Sequence, residues 1–479
     1  AAGFGKVKLP LIGGGTTFDE FVLPSLGDEA IGGMSPLIYS AAIEMVSRAD
    51  AALMTLVGLQ DIAETINSFA DEAIKSEYLP RFASGSVTGA MVLTEPDAGS
   101  DLQSVQTRAV AATQDPSGIW RISGVKRFIT NGCGDILLVL ARSEPGTTDG
   151  RGLSLFLVEK GEGVRIRRIE NKMGIHGSPT CEIQFTNAPG KLIGRRKFGL
   201  IKYVMALMNG ARLGIASQAL GIAEAAHREA LQYAREREQY GKPIIHFPAV
   251  YEMLLRMKMN IEAARALVYY TSMVVDLSEG LESRGDADPA ARAEGQKWSK
   301  LAAVLTPMSK YFASELSVRA TYDAQQVHAG SGYMKEYPVE RLYRDARITT
   351  IYEGTTQLQV VAAIGGITGG VLSEWLADFE EENDLSTVSD LLASARDLRT
   401  GIEAAVAGLK TRPDGASAID YHARRLTDMA CDVVIAYLMC RDASTAETKR
   451  ESARLFIAKA LARAKGAAEY MRLMPVAPN

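Results

Sequence analysis

Cysteine is scarce in this chain: four thiols (Cys133, Cys181, Cys431, Cys440) stand in 479 residues, and their spacing fits no metal-ligand pattern. No metal site is therefore expected. So few thiols in so long a chain point to a reducing compartment rather than a disulfide scaffold, and a cytoplasmic location is the expectation. Charge of one sign is lacking as well: 53 Lys and Arg against 57 Asp and Glu leave a net charge of −4. That balance provides no global field for nucleic acid or an anionic membrane, so neither is an expected partner. Long hydrophobic runs are missing too. The longest candidate, Ile201 to Ala226, is interrupted by Arg212 and dense in Gly and Ala, so no membrane span is expected. No signal-peptide pattern is present. The numbering opens at Ala1, without Met, close to a Gly-rich stretch (Gly13 to Gly15), which suggests that a longer protein continues upstream. Neither a GxGxxG nor a Walker pattern occurs, which argues against the common dinucleotide and nucleotide folds, and no internal repeat is found.

What is present is an ordinary globular composition, 47% hydrophobic and 23% charged, with length for two to four domains. Four textures follow one another: residues 1–86, 87–199, 200–365 and 366–479. From Ser35 to Ser84 apolar residues recur at i, i+3, i+4 (Ile38, Ala42, Met45, Val46, then Leu53, Leu56, Leu59), which predicts helices ending near Pro80 and Gly85. From Val87 to Gly199 short β-branched or aromatic runs alternate with turn signals, among them Ser123-Gly124, Asn131-Gly132, Pro145-Gly146 and Asn187 to Gly190. Strands at that spacing, with no helices between, predict a small antiparallel barrel or sandwich. Helices return after Leu200. Leu213, Ala216, Leu220, Ala223, Ala226, Ala230 and Ala234 form a narrow small-residue stripe suited to close packing. A polar break is expected at Ser278 to Asp288, and a boundary at Gly365-Gly366 and Gly369-Gly370. Beyond it lie helical patterns from Ser389 to Leu409 and from Ile419 to Met474, with Cys431 and Cys440 as core thiols. The fold class is thus α+β, mostly α.

Several stretches carry polar groups in loops. Met91 to Asp101 reads MVLTEPDAGSD and offers hydroxyls and backbone N–H groups to a ring edge or a phosphate, or makes an ordinary Asx turn. Phe128 to Gly132, FITNG, puts an aromatic and a hydroxyl at a strand end. Arg235 to Pro243, REREQYGKP, ends a helix with a basic cluster and a Gly stop. Ala324 to Tyr333 is Gly-rich. Tyr343 to Gln357, YRDARITTIYEGTTQ, sets one carboxylate, Glu353, in a turn before a helix that Thr355 and Thr356 are placed to cap. Alone, a glutamate in a turn is ordinarily solvated surface.

Together, TEPDAGSD, FITNG, AREREQYGKP, QQVHAGSGY and YRDARITTIYEGTTQ, in this order and spacing, resemble the acyl-CoA dehydrogenase family over residues 35 to 365. The resemblance implies an N-terminal helical domain, a middle β-domain and a helical bundle, with FAD between the latter two and partly clasped by a neighbouring subunit of a homodimer or homotetramer. It implies that Met91, Leu93, Thr94, Gly99 and Ser100 line the flavin or the thioester, and that Phe128 and Thr130 flank the flavin ring. Phe128 stands where the family commonly has Trp, so stacking survives and the indole N–H is lost. Arg237, Tyr240, Gln326 and Gly330 are implied to reach the partner's FAD, and Thr355 and Gln357 to complete the cofactor's surroundings. Ser100, Arg212, Tyr352 and Gly354 are implied to contact the acyl-CoA. Glu353 is implied to be the base that takes the α-proton while the β-hydrogen leaves as hydride to flavin N5. In some members the base comes from the position of Ala211, which cannot titrate here. Electrons are implied to pass to an electron-transfer flavoprotein. An oxidase using oxygen and a DNA-binding alkylation-response relative are the alternatives, the acidic balance opposing the second. The last hundred-odd residues resemble the extension of a longer bacterial subgroup that includes 3-methylmercaptopropionyl-CoA dehydrogenases.

Overall fold

The structure, a computed structural model, describes residues 35–58, 61–112, 118–282 and 288–474, so the stretch Gly13 to Gly15 lies outside the described residues. The chain divides into two compact units, Ala1–Val46 with Asp50–Ala211, and Ser47–Ala49 with Arg212–Asn479.

In the first unit, helices α1 (Pro36–Ala49), α2 (Ala51–Gly58), α3 (Asp61–Phe69) and α4 (Glu72–Ala83) precede the strands. Ser35 and Asp71 cap α1 and α4 by accepting from the N–H of Ile38 and Ile74. Pro80 is tolerated inside the last turn of α4, which stops at Ser84 and the left-handed Gly85 (φ +67°).

Seven strands follow: β1 (Gly89–Val92), β2 (Arg108–Ala111), β3 (Trp120–Thr130), β4 (Ile136–Arg142), β5 (Leu153–Glu159), β6 (Val164–Ile169) and β7 (Thr180–Ile193). Their order is β1-β4-β2-β3-β7-β5, with β6 on β7; β4 also pairs β5, so the sheet closes on itself. Most pairings are antiparallel, as expected, but β1 runs parallel to β4 and touches down in register Gly89↔Ile136 through Val92↔Val139. The sheet is therefore mixed. A parallel pair needs a long crossover, here residues 93–135, and no local pattern announces one. Two turn signals also lie inside strands. Ser123-Gly124 is a bulge in β3, with a register shift between Ile122 and Gly124, and Asn187 to Gly190 belongs to β7. On β4 and β5 successive residues face opposite sides. Leu138, Leu140, Leu155 and Leu157 join Ile62, Ile66, Tyr78 and Phe82 in one core, whereas Leu137, Val139, Phe156 and Val158 join Ile122 and Ile183 in another. Burial on both faces explains why β4 reads as a continuous apolar run.

The second unit is helical: the rest of α5 (Met205–Glu236), α6 (Pro248–Glu282), α7 (Pro289–His328), α8 (Pro338–Ala346), α9 (Thr356–Thr368), α10 (Val371–Glu382), α11 (Ser389–Lys410), α12 (Gly415–Thr445) and α13 (Arg450–Leu473). The stripe from Leu213 to Ala234 on α5 is buried throughout. Helix α6 continues through Ser278 to Glu282, and residues 283–287 of the expected break lie outside the described residues. One core runs from Leu267 and Leu305 through Val360 to Trp375, Phe379, Leu398, Leu426, Tyr437 and Phe456, so the C-terminal helices extend the bundle's own interior. Cys431 and Cys440 are buried free thiols within it.

At the expected boundary, α9 passes through Gly365-Gly366 and ends at Gly369-Gly370. A methyl on Gly366 would overlap the Val304 side chain, whereas one on Gly365 would meet nothing within 4 Å. Gly366→Ala is accordingly expected to lower stability by about 1–3 kcal/mol through overpacking. Gly365→Ala is expected to raise it by up to about 1 kcal/mol through helix propensity. Thermal melts of the two variants check this opposition of signs.

Candidate active site

In the first unit the TEPDAGSD loop leaves β1 and is tied down by a buried ion pair. Lys126 on β3, with no exposed surface, lies 2.9 Å from Glu95 and donates at 2.7 Å to the carbonyl of Leu93. Glu95 also accepts from the backbone N–H of Gln106 (2.8 Å) and Thr107 (2.9 Å). Burial pulls Lys126 down to about 8 against the upward pull of Glu95. Glu95 itself is lowered, since Lys126 and those N–H donors outweigh its burial. The loop so held presents the hydroxyls of Thr94 and Ser100, neither of which hydrogen-bonds a described residue, beside the exposed Gly99. The Leu93 side chain is in the core, so only its backbone is available to a ligand, while Met91 is half-buried on β1.

Strand β3 shifts register again between Lys126 and Ile129. This second bulge puts Phe128 in the left-handed region (φ +61°) and leaves its ring 53% exposed, with the Arg127 guanidinium 4.6 Å from the ring centre. Two residues on, the Thr130 hydroxyl makes no hydrogen bond to a described residue. Neither bulge nor buried lysine was predicted from sequence. The one available signal was a lysine at the centre of an otherwise strand-like run.

In the second unit the YEGTTQ turn is built on strain. Glu353 (φ +52°) and Gly354 (φ +90°) are both left-handed, which costs about 1–2 kcal/mol at a non-glycine residue. Thr355 then caps α9, accepting from the N–H of Leu358, and Thr356 donates to Glu315 of α7 at 2.7 Å. Gln357 is exposed on the first turn. The Tyr352 hydroxyl is bonded to the buried Gln218 of α5, so this residue implied to contact substrate anchors the turn by its hydroxyl.

The Glu353 carboxylate forms no hydrogen bond or ion pair with a described residue, and neither does its N–H. Burial raises its pKa, opposed by the nearby cations Lys310 and Arg212. Arg212, on α5, is in turn pulled down by its own burial. Lys310, on α7, is fully buried and donates to the Gly354 carbonyl at 2.6 Å; burial brings it to about 7. Its companions at helical spacing are Thr306, Ala313, Ser314 and Ser317, all buried. A lone lysine on a small-residue face was the signal sequence reasoning passed over.

Elsewhere in this unit, Glu238-Gln239 and Lys242-Pro243 pair as a minimal hairpin. Its tip residues Tyr240 (φ +51°) and Gly241 (φ +74°) give a turn of type I′ shape, and Tyr240 is 95% exposed. The Arg237 guanidinium makes no ion pair with a described residue. Gln326 and Gly330 are exposed where α7 passes into a 3-10 turn, above a His328 ring stacked on Tyr233 at 4.2 Å.

Four sequence profiles match the chain along its length. They are the acyl-CoA dehydrogenase N-terminal domain (residues 26–86), middle domain (90–188) and C-terminal domain (201–364), and a further "Acyl-CoA dehydrogenase C terminal" segment (368–477). The chain belongs to the acyl-CoA dehydrogenase family. It is a flavoprotein oxidoreductase acting on acyl-CoA, with FAD as its cofactor. An acyl-CoA dehydrogenase of Bacillus subtilis is 39% identical over 71% of this chain and 84% of its own length. A 3-methylmercaptopropionyl-CoA dehydrogenase of Ruegeria pomeroyi is 36% identical over 79% of this chain and 68% of its own. Among solved structures, butyryl-CoA dehydrogenase from Megasphaera elsdenii superposes with a TM-score of 0.62 at 34% identity, covering 72% of this chain and 85% of that one. An acyl-CoA dehydrogenase from Bacillus anthracis complexed with FAD has the same fold over 94% of this chain and 80% of its own, with a TM-score of 0.75 at 24% identity. Among the described residues no single helix is long and apolar enough to cross a membrane.

Proposed function

We propose that this acyl-CoA dehydrogenase introduces the α,β double bond of a 2-enoyl-CoA, with Glu353 as the base. The observation carrying this is the half-buried Glu353 carboxylate: it pairs with no described residue, partial burial makes it more basic, and it stands in a turn whose N–H is also unspent. Those are the two things α-proton removal from a thioester needs, a desolvated base and a donor for the oxygen that gains charge. FAD, when bound, supplies the acceptor for the β-hydrogen, which leaves as hydride. The residues present suit that cofactor: the free hydroxyls of Thr94, Ser100 and Thr130 can meet polar ring edges, and the exposed Phe128 ring can lie against a flat one. Thr355 and Gln357 are placed to complete its surroundings. Tyr352 and Gly354 shape the turn the thioester would meet, and Ser100 and Arg212 are the polar groups assigned to the CoA ester. Arg237, Tyr240, Gln326 and Gly330 are proposed to hold the FAD of a partner subunit in a homodimer or homotetramer. Electrons are proposed to continue to an electron-transfer flavoprotein. In support, a solved structure described as the electron transferring flavoprotein of Acidaminococcus fermentans contains a chain 36% identical to this one. The location proposed is cytoplasmic.

The deciding experiment is anaerobic titration of the flavin with a panel of acyl-CoAs. Bleaching by at least one is expected, and a preparation that none of them bleaches sinks the reading. For the cofactor, Arg237→Ala is expected to weaken FAD retention by about tenfold, one charge-assisted hydrogen bond's worth. Ultrafiltration of the yellow protein measures it, and unchanged retention would count against the shared cofactor.

A further inference from the structure

Lys310 is an expensive residue as it stands. It has no exposed surface and forms no ion pair with a described residue. An unpaired buried ammonium is costly, so such a group persists where it does something a neutral side chain cannot. Its one hydrogen bond goes to the Gly354 carbonyl, at 2.6 Å. Gln359, equally buried on the first turns of α9, donates from the opposite direction of the chain to the same carbonyl at 2.9 Å and to that of Glu353 at 3.1 Å. Its Nε2 is thus spent on the turn, while its Oε1 is buried with no partner. The contact is tight: a methyl on Gly354 would stand 2.7 Å from that Nε2. Two successive left-handed residues are therefore held by two buried polar side chains from two helices.

We propose that Lys310 and Gln359 are positioning residues for Glu353, gripping the carbonyls of the turn so that the carboxylate stands ready, with the Lys310 ammonium favouring its ionised form. The inference rests on Glu353 being the base. The charged groups facing Lys310 are the Glu353 carboxylate, the Arg212 guanidinium of α5 and the Glu315 carboxylate of its own helix. With burial holding Lys310 near 7, its ammonium is the majority form below that value. A cation there pulls Glu353 towards ionisation. Its loss makes the carboxyl hold its proton to higher pH.

The test is the rate of anaerobic flavin reduction against pH, using the acyl-CoA that bleaches the wild type fastest. Gln359→Met keeps the volume and removes the donor; it is expected to slow reduction by about 10- to 100-fold without moving the acid limb. Lys310→Gln keeps a donor and removes the charge; its acid limb is expected to move up by about one pH unit. Lys310→Arg restores the charge and is expected to return the limb to the wild-type position, which a merely structural role would not require. Should the Lys310→Gln chain fail to fold or to keep FAD, Gln359→Met decides. An unchanged rate in Gln359→Met, or an unmoved limb in a folded Lys310→Gln chain, overturns the proposal. A wild type that no acyl-CoA reduces brings down the dehydrogenation reading itself, and this inference with it. A wild type that is reduced normally beside indifferent variants removes this inference alone.

Discussion

Glu353→Gln is expected to abolish reduction of the flavin by acyl-CoA, by about 10⁴-fold, while the protein stays yellow. The amide occupies the space of the carboxylate but cannot accept a proton. The pH dependence of the wild type follows from the same group. Burial raises the Glu353 pKa, so activity is present where the carboxylate is ionised and falls as pH drops through that raised value. The acid limb should therefore lie above the free glutamate value of about 4.3. Stability moves the other way. Between the free and the raised value the native state binds more protons than the unfolded chain, so stability declines as pH rises through that window. Glu353→Gln removes the decline. At pH 8, where Lys310 near 7 is mostly neutral and does not miss its anion, the variant should melt no lower than wild type. Stopped-flow bleaching and a melt at pH 8 check both halves. A variant that bleaches at the wild-type rate would place the base elsewhere.

Much of this was readable from the chain because the informative features are local. Helical periodicity, the Thr355 cap and the placement of Glu353 in a turn all depend on neighbours a few residues away. The five motifs carry the family resemblance for the same reason: each is a short run whose residue types and order are read without knowing its partners in space. What stayed hidden depends on partners distant in sequence. The parallel pairing of Gly89–Val92 with Ile136–Val139 joins segments separated by a crossover with no signature. Gly124 and Gly366 look like breaks when read locally. In space, one forms a bulge that brings its backbone against Thr107, and the other lets α9 approach Val304. Lys126 and Lys310 were overlooked because a lysine is ordinarily solvated, and only the fold shows each one buried under the loop it holds.

That shared arrangement makes Lys126→Met the variant with the largest expected effect on stability. The lysine and Glu95 are an ion pair with almost no access to water, and the carboxylate stays buried once its partner is gone. Breaking such a pair from one side costs about 3–5 kcal/mol, because the remaining charge has neither solvent nor counterion. Here the Gln106 and Thr107 N–H groups still reach Glu95, which puts the expectation at the lower end of that range. Changing both partners, Lys126→Met with Glu95→Leu, removes the stranded charge and should recover part of the loss, although the two N–H groups are then unmet. The pH profile identifies the lysine's share. Its native value of about 8 lies below the free value of about 10.4, so the unfolded chain binds more protons between them and wild-type stability rises with pH across that interval. Lys126→Met should lose that slope. Glu95 acts at the other end: its lowered value gives stability that is present above the free glutamate value and lost as pH falls through the native one. Because the same pair fixes the Leu93 carbonyl at the root of the Thr94–Ser100 loop, FAD retention should weaken along with the melting temperature. Denaturant titrations at pH 7.5 and 9.5 with parallel flavin release measure all three effects, and a Lys126→Met chain as stable as wild type would mean that the backbone N–H groups alone hold the loop.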